Sequence, residues 1–513
     1  MANGAKVRTK VLVVGGAGYV GSATCAALVD AGHEVWVLDD LSTGSRLLAL
    51  GDRFIEAKAG DRSYVTHLLQ TEKFDCVMHF AAKCLVSESM RRSEDYFEAN
   101  VEQTRGLLDS MVEAGTKRFV FSSTCAVFGN PAAAAPIHEK SPQNPINPYG
   151  ESKLAAEKLI AKYALGFGIE PIVLRYFNAA GAESNLRVGE WHTPETHLIP
   201  NLLQAAESDK VVPVYGSDYE TPDGTCVRDY VHVSDLARAH ISAMNRLMTR
   251  KCSFEAYNLG TGKGSSILEV IRKCEQITGK KIRYEIKGRR EGDPPILVAD
   301  AQQASGELGF QVDSDSLGKI ISSAWAWEKK KNQPRKAVFL DRDGTLNEDP
   351  GYLSRPDQMK LLPDVGPALQ RLRQSGYELV IVSNQSGVGR GLIRKNDIPR
   401  INERMDLLLR EHGVTIAEYE LCFHRPEEGC DCRKPRPTLI QSAARRLGID
   451  IASSYMVGDK ISDVQSGRAA GCKGTALVRT GEGLIAEQQL KKGEADFIGD
   501  SLKNVVDWIL LSK

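Results

Sequence analysis

The stretch that most constrains this chain is Trp325-Ala326-Trp327-Glu328-Lys329-Lys330-Lys331-Asn332-Gln333-Pro334-Arg335-Lys336. It closes an amphipathic helical pattern that its two tryptophans are expected to anchor, and its proline stops any continuing helix. With no pause, Ala337-Val338-Phe339-Leu340 then opens a fresh apolar strand ending on Asp341. One complete α/β pattern precedes this joint, a second follows it, and each carries its own candidate catalytic residues. A chain of 513 residues also exceeds what a single ordinary core holds together. The expected organisation is therefore one domain over 1–330, a linker at 331–336 and a second domain over 337–513.

Charge and cysteine usage exclude several classes of partner. Lys+Arg and Asp+Glu are equal at 66 each, so no net field points to nucleic acid or to a membrane surface. Lys329 to Lys331 reads as a solvated linker. No apolar run approaches the roughly 18 residues of a membrane helix. Met1 to Lys10 is short and polar and leads into a strand, so no secretory signal is expected. Of 11 cysteines, most are scattered without framework spacing and three cluster at Cys422, Cys430 and Cys432. That usage fits a reducing cytoplasm and one local metal site.

In the first domain the strand Lys10 to Val14 runs into Gly15-Gly16-Ala17-Gly18-Tyr19-Val20-Gly21, a helical stretch to Ala31, and a second strand from Glu34 that ends at Asp39. Glycines let backbone approach a pyrophosphate at a helix N-terminus, and the acid accepts two ribose hydroxyls while repelling a 2′-phosphate. NAD is thus favoured over NADP. Asp75 to Phe80 is strand-like and leads to Ala81-Ala82, and Arg118 to Phe121 ends at Ser122-Ser123-Thr124. Pro148-Tyr149-Gly150-Glu151-Ser152-Lys153 then opens a helix, placing Tyr149 and Lys153 one turn apart on one face. An ammonium beside a phenol is expected to lower its pKa, as an alcohol-oxidising base requires, with Thr124 donating or relaying. Ala132 to Ala135 is expected to be a loop, and Val270 to Thr278 an amphipathic helix of a smaller substrate lobe.

These motifs make residues 8 to 330 resemble the extended short-chain dehydrogenase/reductases, and within them the UDP-glucose 4-epimerases. Further carriers are His79-Phe80-Ala81-Ala82, Leu174-Arg175-Tyr176-Phe177-Asn178-Ala179-Ala180-Gly181, His197-Leu198-Ile199-Pro200, Asp223 to His232 and Arg289-Arg290-Glu291-Gly292-Asp293. The resemblance implies that Gly15, Gly18, Tyr19, Val20, Gly21, Asp39, Asp61, Phe80, Ala81, Ala82, Asn100, Tyr149, Lys153 and Phe177 hold NAD. It places a UDP-sugar against Asn178, Leu198, Tyr215, Arg228, Arg290 and Asp293, with the two arginines on the diphosphate. In the implied reaction Tyr149 takes the proton of the sugar 4-hydroxyl while hydride passes to NAD⁺. The keto sugar then turns over and is reduced on its other face. Cys84 and Ala99 depart from the lysine and asparagine that the family often has there, and Lys83 and Asn100 are the neighbouring substitutes. Leu297 falls where the family sets sugar size, which leaves other 4-epimer pairs open. A dehydratase is disfavoured because Cys125-Ala126 follows Thr124 where such enzymes usually carry an Asp-Glu pair. Dimerisation through a helix pair is common in the family, so a homodimer is the assembly to test.

In the second domain Asp341-Arg342-Asp343-Gly344-Thr345 follows the first strand, Ser383-Asn384-Gln385 ends another, Arg433-Lys434-Pro435 supplies a cation, and Gly458-Asp459-Lys460-Ile461-Ser462-Asp463 ends a further strand. Two acids two apart divide nucleophilic and acid/base work, and carboxylates around a phosphate require Mg²⁺. The ordered set is similar to the haloacid-dehalogenase-type phosphatases. That resemblance implies Asp341 as nucleophile, Asp343 as acid/base, and Asp341, the Asp343 carbonyl and Asp459 on Mg²⁺. Ser383, Asn384 and Lys434 would hold the phosphoryl group, with Arg433 and Lys434 reading the leaving group. Cys422-Phe423-His424 and Cys430-Asp431-Cys432 form a C-x-H…C-x-C set suited to structural Zn²⁺. Such a clip is similar to those of heptose-bisphosphate and histidinol-phosphate phosphatases, and its spacing does not separate the two. The expectation is an α/β, Rossmann-type epimerase domain followed by a Rossmannoid phosphatase domain with a small zinc clip, acting on UDP-sugars and phosphorylated sugars. The alternatives are another nucleotide-sugar oxidoreductase in the first half, or one half that only senses a ligand.

Overall fold

The computed structural model describes residues 8–131, 136–192, 194–208, 210–290, 292–312 and 316–512. The loop expected at Ala132 to Ala135, and most of the N-terminal segment, lie outside the described residues. The chain divides into two compact units, Met1–Lys330 and Lys331–Lys513.

In the first unit seven strands form one parallel sheet: β1 (Lys10–Val14), β2 (Glu34–Asp39), β3 (Arg53–Glu56), β4 (Cys76–His79), β5 (Arg118–Thr124), β6 (Glu170–Tyr176) and β7 (Glu255–Leu259). Their spatial order is β7-β6-β5-β4-β1-β2-β3. The near-continuous apolar runs are explained by burial on both faces. In β1, Val11 and Val13 pack into one core while Leu12 and Val14 pack into another, and in β2 Val35 and Val37 part from Trp36 and Leu38 in the same way. Strand order reverses between β1 and β4, so the loops after these two strands face one crevice, the usual ligand position of such sheets.

A smaller lobe follows. Strands Asn178–Ala180, Val227–His232, Gly264–Ser266 and Ile296–Leu297 form one sheet. Helices Leu198–Glu207, Ile267–Thr278 and Ser316–Lys331 bury Leu202, Leu203, Val270, Ile271, Ile320, Ile321 and Trp325 together. The helix expected from Val270 begins earlier, at Ile267, because Ser266 and Glu269 form a reciprocal capping box. Trp327 donates its indole N–H to the Glu190 carbonyl at 3.0 Å. The last helix reaches Lys331 and the next strand starts at Lys336, so the connection is 332–335, shorter than the expected linker.

The second unit has six parallel strands: β8 (Lys336–Leu340), β9 (Tyr377–Asn384), β10 (Glu418–Cys422), β11 (Tyr455–Gly458), β12 (Gly474–Val478) and β13 (Phe497–Gly499), in the order β10-β9-β8-β11-β12-β13. Asp341, the Ser383-Asn384 pair and Asp459 all stand at or just beyond strand C-termini, on the three central strands β8, β9 and β11. Among the described residues no helix is long and apolar enough to cross a membrane.

Candidate active sites

The glycine turn after β1 is built by close approach. Gly15 has φ +84°, and a Cβ there would collide with the backbone nitrogen of Ala81. A Cβ on Gly21 would strike the Gly15 carbonyl, so glycine at both positions brings the helix Tyr19–Asp30 down onto the turn. Gly18 is its N-cap, with no side chain capping the first turn. Within that turn, the Tyr19 hydroxyl donates to the Gly181 carbonyl at 2.6 Å, and Val20 packs among the apolar neighbours. Asp39 ends β2 and accepts the N–H groups of Ala17 (3.0 Å) and Leu41 (2.9 Å). Burial raises its pKa to about 6, opposed by those two bonds. It therefore braces the turn, and each oxygen keeps a lone pair for a further donor.

Phe80 and Ala81 donate their N–H groups to Val14 at 2.7 and 3.1 Å, which sets Phe80-Ala81-Ala82 beside the turn. Asp61 caps the helix Arg62–Glu72 through the Tyr64 N–H at 3.2 Å. Asn100 is buried and clamps the Lys83 backbone, accepting its N–H at 2.8 Å and donating to its carbonyl at 3.0 Å. The Lys83 ammonium lies 3.4 Å from Glu88 and 3.8 Å from Asp95. Of the two neighbouring substitutes, Lys83 is thus held among its own acids.

Thr124 is the last residue of β5, and Tyr149 opens the helix Pro148–Phe167, which Asn147 caps by accepting the Gly150 N–H at 2.9 Å. Lys153, one turn on, donates to the Ser122 carbonyl at 2.8 Å and sits 4.7 Å from the Phe121 ring centroid. Burial lowers its pKa to about 8. The Tyr149 phenol is raised well above its ordinary value, first by burial, with a hydrogen bond from the Thr124 side chain pulling the other way. The sequence-based expectation of a lowered phenol is therefore reversed in this state. Desolvation dominates, and the ammonium spends its bond on Ser122.

At the lobe, buried Phe177 donates its N–H to Leu259 at 3.1 Å, Asn178 begins a strand and Leu198 begins a helix. Arg228 is buried, donates to the Val227 carbonyl at 2.8 Å and pairs with Asp293. The Arg290 guanidinium lies 4.3 Å from the Tyr215 ring centroid. Leu297 is the strand partner of Arg228, which puts it beside that pair. Glu291 lies outside the described residues.

In the second unit Lys434 is the hub. Its ammonium donates to Asp341 and to the Val382 carbonyl, both at 2.7 Å, and lies 2.6 Å from Asp463. Burial would lower its pKa, but the two carboxylates hold it above the ordinary lysine value. Asp341, Asp459 and Asp463 each bring an oxygen to one point, all within 4.8 Å of one another. Burial, and then its carboxylate neighbours, push Asp459 up to about 8. Burial likewise lifts Asp463 to about 6. Three buried acids around one ammonium leave a deficit of positive charge, which fits a divalent cation.

The Asp343 carboxylate is not in this cluster, which agrees with its expected part in metal binding being played by its backbone carbonyl. It accepts from Arg342 (3.0 Å), Gln385 (2.7 Å) and Asn347 (2.9 Å). Burial would raise its pKa, yet the guanidinium and these bonds keep it below the usual carboxylate range. Sequence reasoning passed over fully buried Arg342, and over Asp463 as a member of the cluster. The available signal for Asp463 was its place four residues after Asp459, in the first turn of a helix where it accepts the Lys460 N–H at 3.0 Å. Asn384 exchanges two bonds with the Lys434 backbone at 3.1 and 3.2 Å, Ser383 accepts from Gln385 at 3.1 Å, and Arg433 donates to the His424 carbonyl at 3.3 Å.

Cys422, His424, Cys430 and Cys432 converge. Their sulfur–sulfur separations are 3.2 to 3.6 Å, and the His424 Nδ1 lies 3.7 and 3.3 Å from Cys422 and Cys432. A tetrahedron with Zn–S bonds of about 2.3 Å has edges of about 3.8 Å, so the donor set fits zinc.

The profile of the NAD dependent epimerase/dehydratase family matches residues 11–260, and a profile described as HAD-hydrolase-like matches residues 431–505. Over 321 residues the chain is 44% identical to a UDP-glucose 4-epimerase of Halalkalibacterium halodurans, an alignment covering 62% of this chain and 96% of that protein. The crystal structure of UDP-glucose 4-epimerase from Brucella ovis in complex with NAD matches at TM-score 0.59 and 44% identity, covering 62% of this chain and 98% of that one. That of Stenotrophomonas maltophila UDP-glucose-4-epimerase, with bound NAD and formylated UDP-arabinopyranose, matches at TM-score 0.60 and 37% identity, covering 63% and 98%. Fold and site thus define a Rossmann-type α/β domain followed by a HAD-like one. The chain belongs, through its first unit, to the NAD dependent epimerase/dehydratase family.

Proposed function

We propose that the chain is a bifunctional enzyme: an NAD-dependent UDP-glucose/UDP-galactose 4-epimerase in the first unit and a Mg²⁺-dependent sugar-phosphate phosphatase, of the heptose-bisphosphate type, in the second. What supports the first half is a Thr124 side chain bonded to the Tyr149 phenol, Lys153 one helical turn on, and a glycine turn too tight for a Cβ, within a chain 44% identical to a UDP-glucose 4-epimerase over 321 residues. Gly15, Gly18, Gly21, Asp39, Phe80 and Lys153 would hold the dinucleotide, which when bound supplies reversible two-electron oxidation at the sugar C4. Tyr149 takes the 4-hydroxyl proton and returns it on the other face. Lys153 and Thr124 stabilise the phenolate during each transfer. Arg228 and Arg290 hold the diphosphate, so the sugar itself can turn. The relative that binds formylated UDP-arabinopyranose favours a second reading, in which another UDP-sugar pair is accepted.

In the second unit Asp341 attacks phosphorus to give an aspartyl-phosphate, which water then hydrolyses. Asp343 protonates the leaving oxygen and later deprotonates that water. Asp341, the Asp343 carbonyl and Asp459 would hold Mg²⁺, with Asp463 beside them, the ion when bound supplying charge neutralisation at the phosphoryl group, and Lys434, bonded to Asp341, adds a second positive charge there. Zn²⁺ on the four-residue clip would brace the loop that presents Arg433 and Lys434. Eleven cysteines without a disulfide support a cytoplasmic setting. A homodimer is carried as part of the proposal.

The test is NMR of full-length protein with UDP-galactose and no added cofactor, beside Asp341→Asn. UDP-glucose forming in both supports the epimerase and chemically independent halves. No conversion even after adding NAD rejects the glucose/galactose assignment. Mg²⁺-dependent phosphate release from a panel of sugar phosphates and histidinol phosphate, absent in Asp341→Asn, tests the second half.

A further inference from the structure

A second group of metal-type ligands lies in the first unit, made of residues that have no assigned role although it adjoins Tyr19 and Leu198. Glu190, His192, Glu195 and His197 fall within eight residues of chain, and one donor atom from each lies within 4.8 Å of the others. The His197 Nδ1 is 2.8 Å from a carboxylate oxygen of Glu190 and 2.8 Å from one of Glu195, and the His192 Nδ1 is 3.7 Å from Glu190. A ring nitrogen carries one hydrogen at most, so it cannot serve both carboxylates well. The two acids are deeply buried, with side chains 7% and 5% exposed. The second oxygen of Glu195 is buried without a hydrogen-bond partner, while its first also accepts the Thr196 and His197 N–H groups at 2.8 and 2.9 Å. The Trp327 indole, bonded to the Glu190 carbonyl, pins the segment from outside.

We propose that Glu190, His192, Glu195 and His197 form a divalent transition-metal site of the zinc class. Two carboxylates and two neutral imidazoles balance one dication, and a mixed nitrogen–oxygen set of four suits tetrahedral coordination. The ion would lock the segment that delivers Leu198 to the start of its helix. This role is structural and does not rest on the epimerase reading.

The experiment uses full-length protein stripped by chelator, kept in excess Mg²⁺ to fill the aspartate cluster, and titrated with Zn²⁺ or Co²⁺. The Cys430→Ser/Cys432→Ser variant removes the thiolate clip. The expected result is that this variant retains about one Zn²⁺ per chain through gel filtration, and that adding Glu195→Gln and His197→Gln abolishes it. Retention of metal by the quadruple variant, or none above buffer level in the clip variant, overturns the site and leaves a hydrogen-bonded Glu–His cluster. Should the clip variant fail to fold, the wild type decides. A Co²⁺ equivalent with weak visible bands and no thiolate charge-transfer, missing in His197→Gln, supports the site. Charge-transfer bands alone overturn it.

Discussion

Lys434→Met is the sharpest perturbation of the second unit. The ammonium is buried, 2.7 Å from Asp341 and 2.6 Å from Asp463, and Asp459 shares the same cluster. Methionine keeps the volume and removes the charge. Deleting one partner of a buried pair costs about 3–5 kcal/mol, because the other charge stays buried and uncompensated. The loss should depend on pH in a defined direction. Asp459 and Asp463 already titrate above the unfolded carboxylate, at about 8 and about 6, and both would rise further. A carboxylate raised in the folded state costs nothing below its unfolded pKa, and its penalty grows as pH climbs to the folded value. The added destabilisation is thus expected to be smallest near pH 5, to grow as pH climbs past about 6 and then past about 8, and to be offset by Mg²⁺. Because the chain divides into two compact units, hydrogen exchange of the β8 peptide is the readout that isolates the stability of the second. A loss below about 1 kcal/mol that is flat with pH would refute the view that Lys434 balances these acids.

Four other outcomes are expected. Gly15→Ala, at φ +84° and facing Ala81, should destabilise the first unit by more than about 2 kcal/mol in urea unfolding and abolish co-purification of NAD. Tyr149→Phe should lower the kcat for UDP-galactose by about 10²–10⁴ with UDP affinity unchanged by calorimetry; a wild-type rate rejects its proton-transfer role. Mg²⁺ binding must displace the Asp459 proton, so affinity should climb up to about tenfold per pH unit below pH 8 and level off above it, with one proton released in calorimetric buffers of differing ionisation heat. Cys430→Ser should remove about one zinc per chain by elemental analysis and lower the Tm of the second unit; unchanged zinc rejects the clip.

What could be read from the sequence was whatever is written in short spacings. Two parallel α/β units follow from apolar runs broken by glycine turns or strand-tip acids, because a strand buried on both faces must be apolar throughout and a helix N-terminus needs room at its turn. Gly15 to Gly21, Tyr149 with Lys153, Asp341 with Asp343, and the C-x-H…C-x-C clip all lie within a few residues of their partners, so pattern and chemistry coincide. Tertiary structure decided what depends on long-range partners and rotamers. It turned Lys153 to the Ser122 carbonyl and Lys83 to Glu88 and Asp95. It wrapped the Asp343 carboxylate in Arg342, Gln385 and Asn347, and brought Asp463 beside Asp341 and Asp459. The pairings of Lys434 with Asp341 and Asp463, and of Asp343 with Gln385, are electrostatic choices set by segments that come together only when the sheet forms, and no spacing along the chain encodes them.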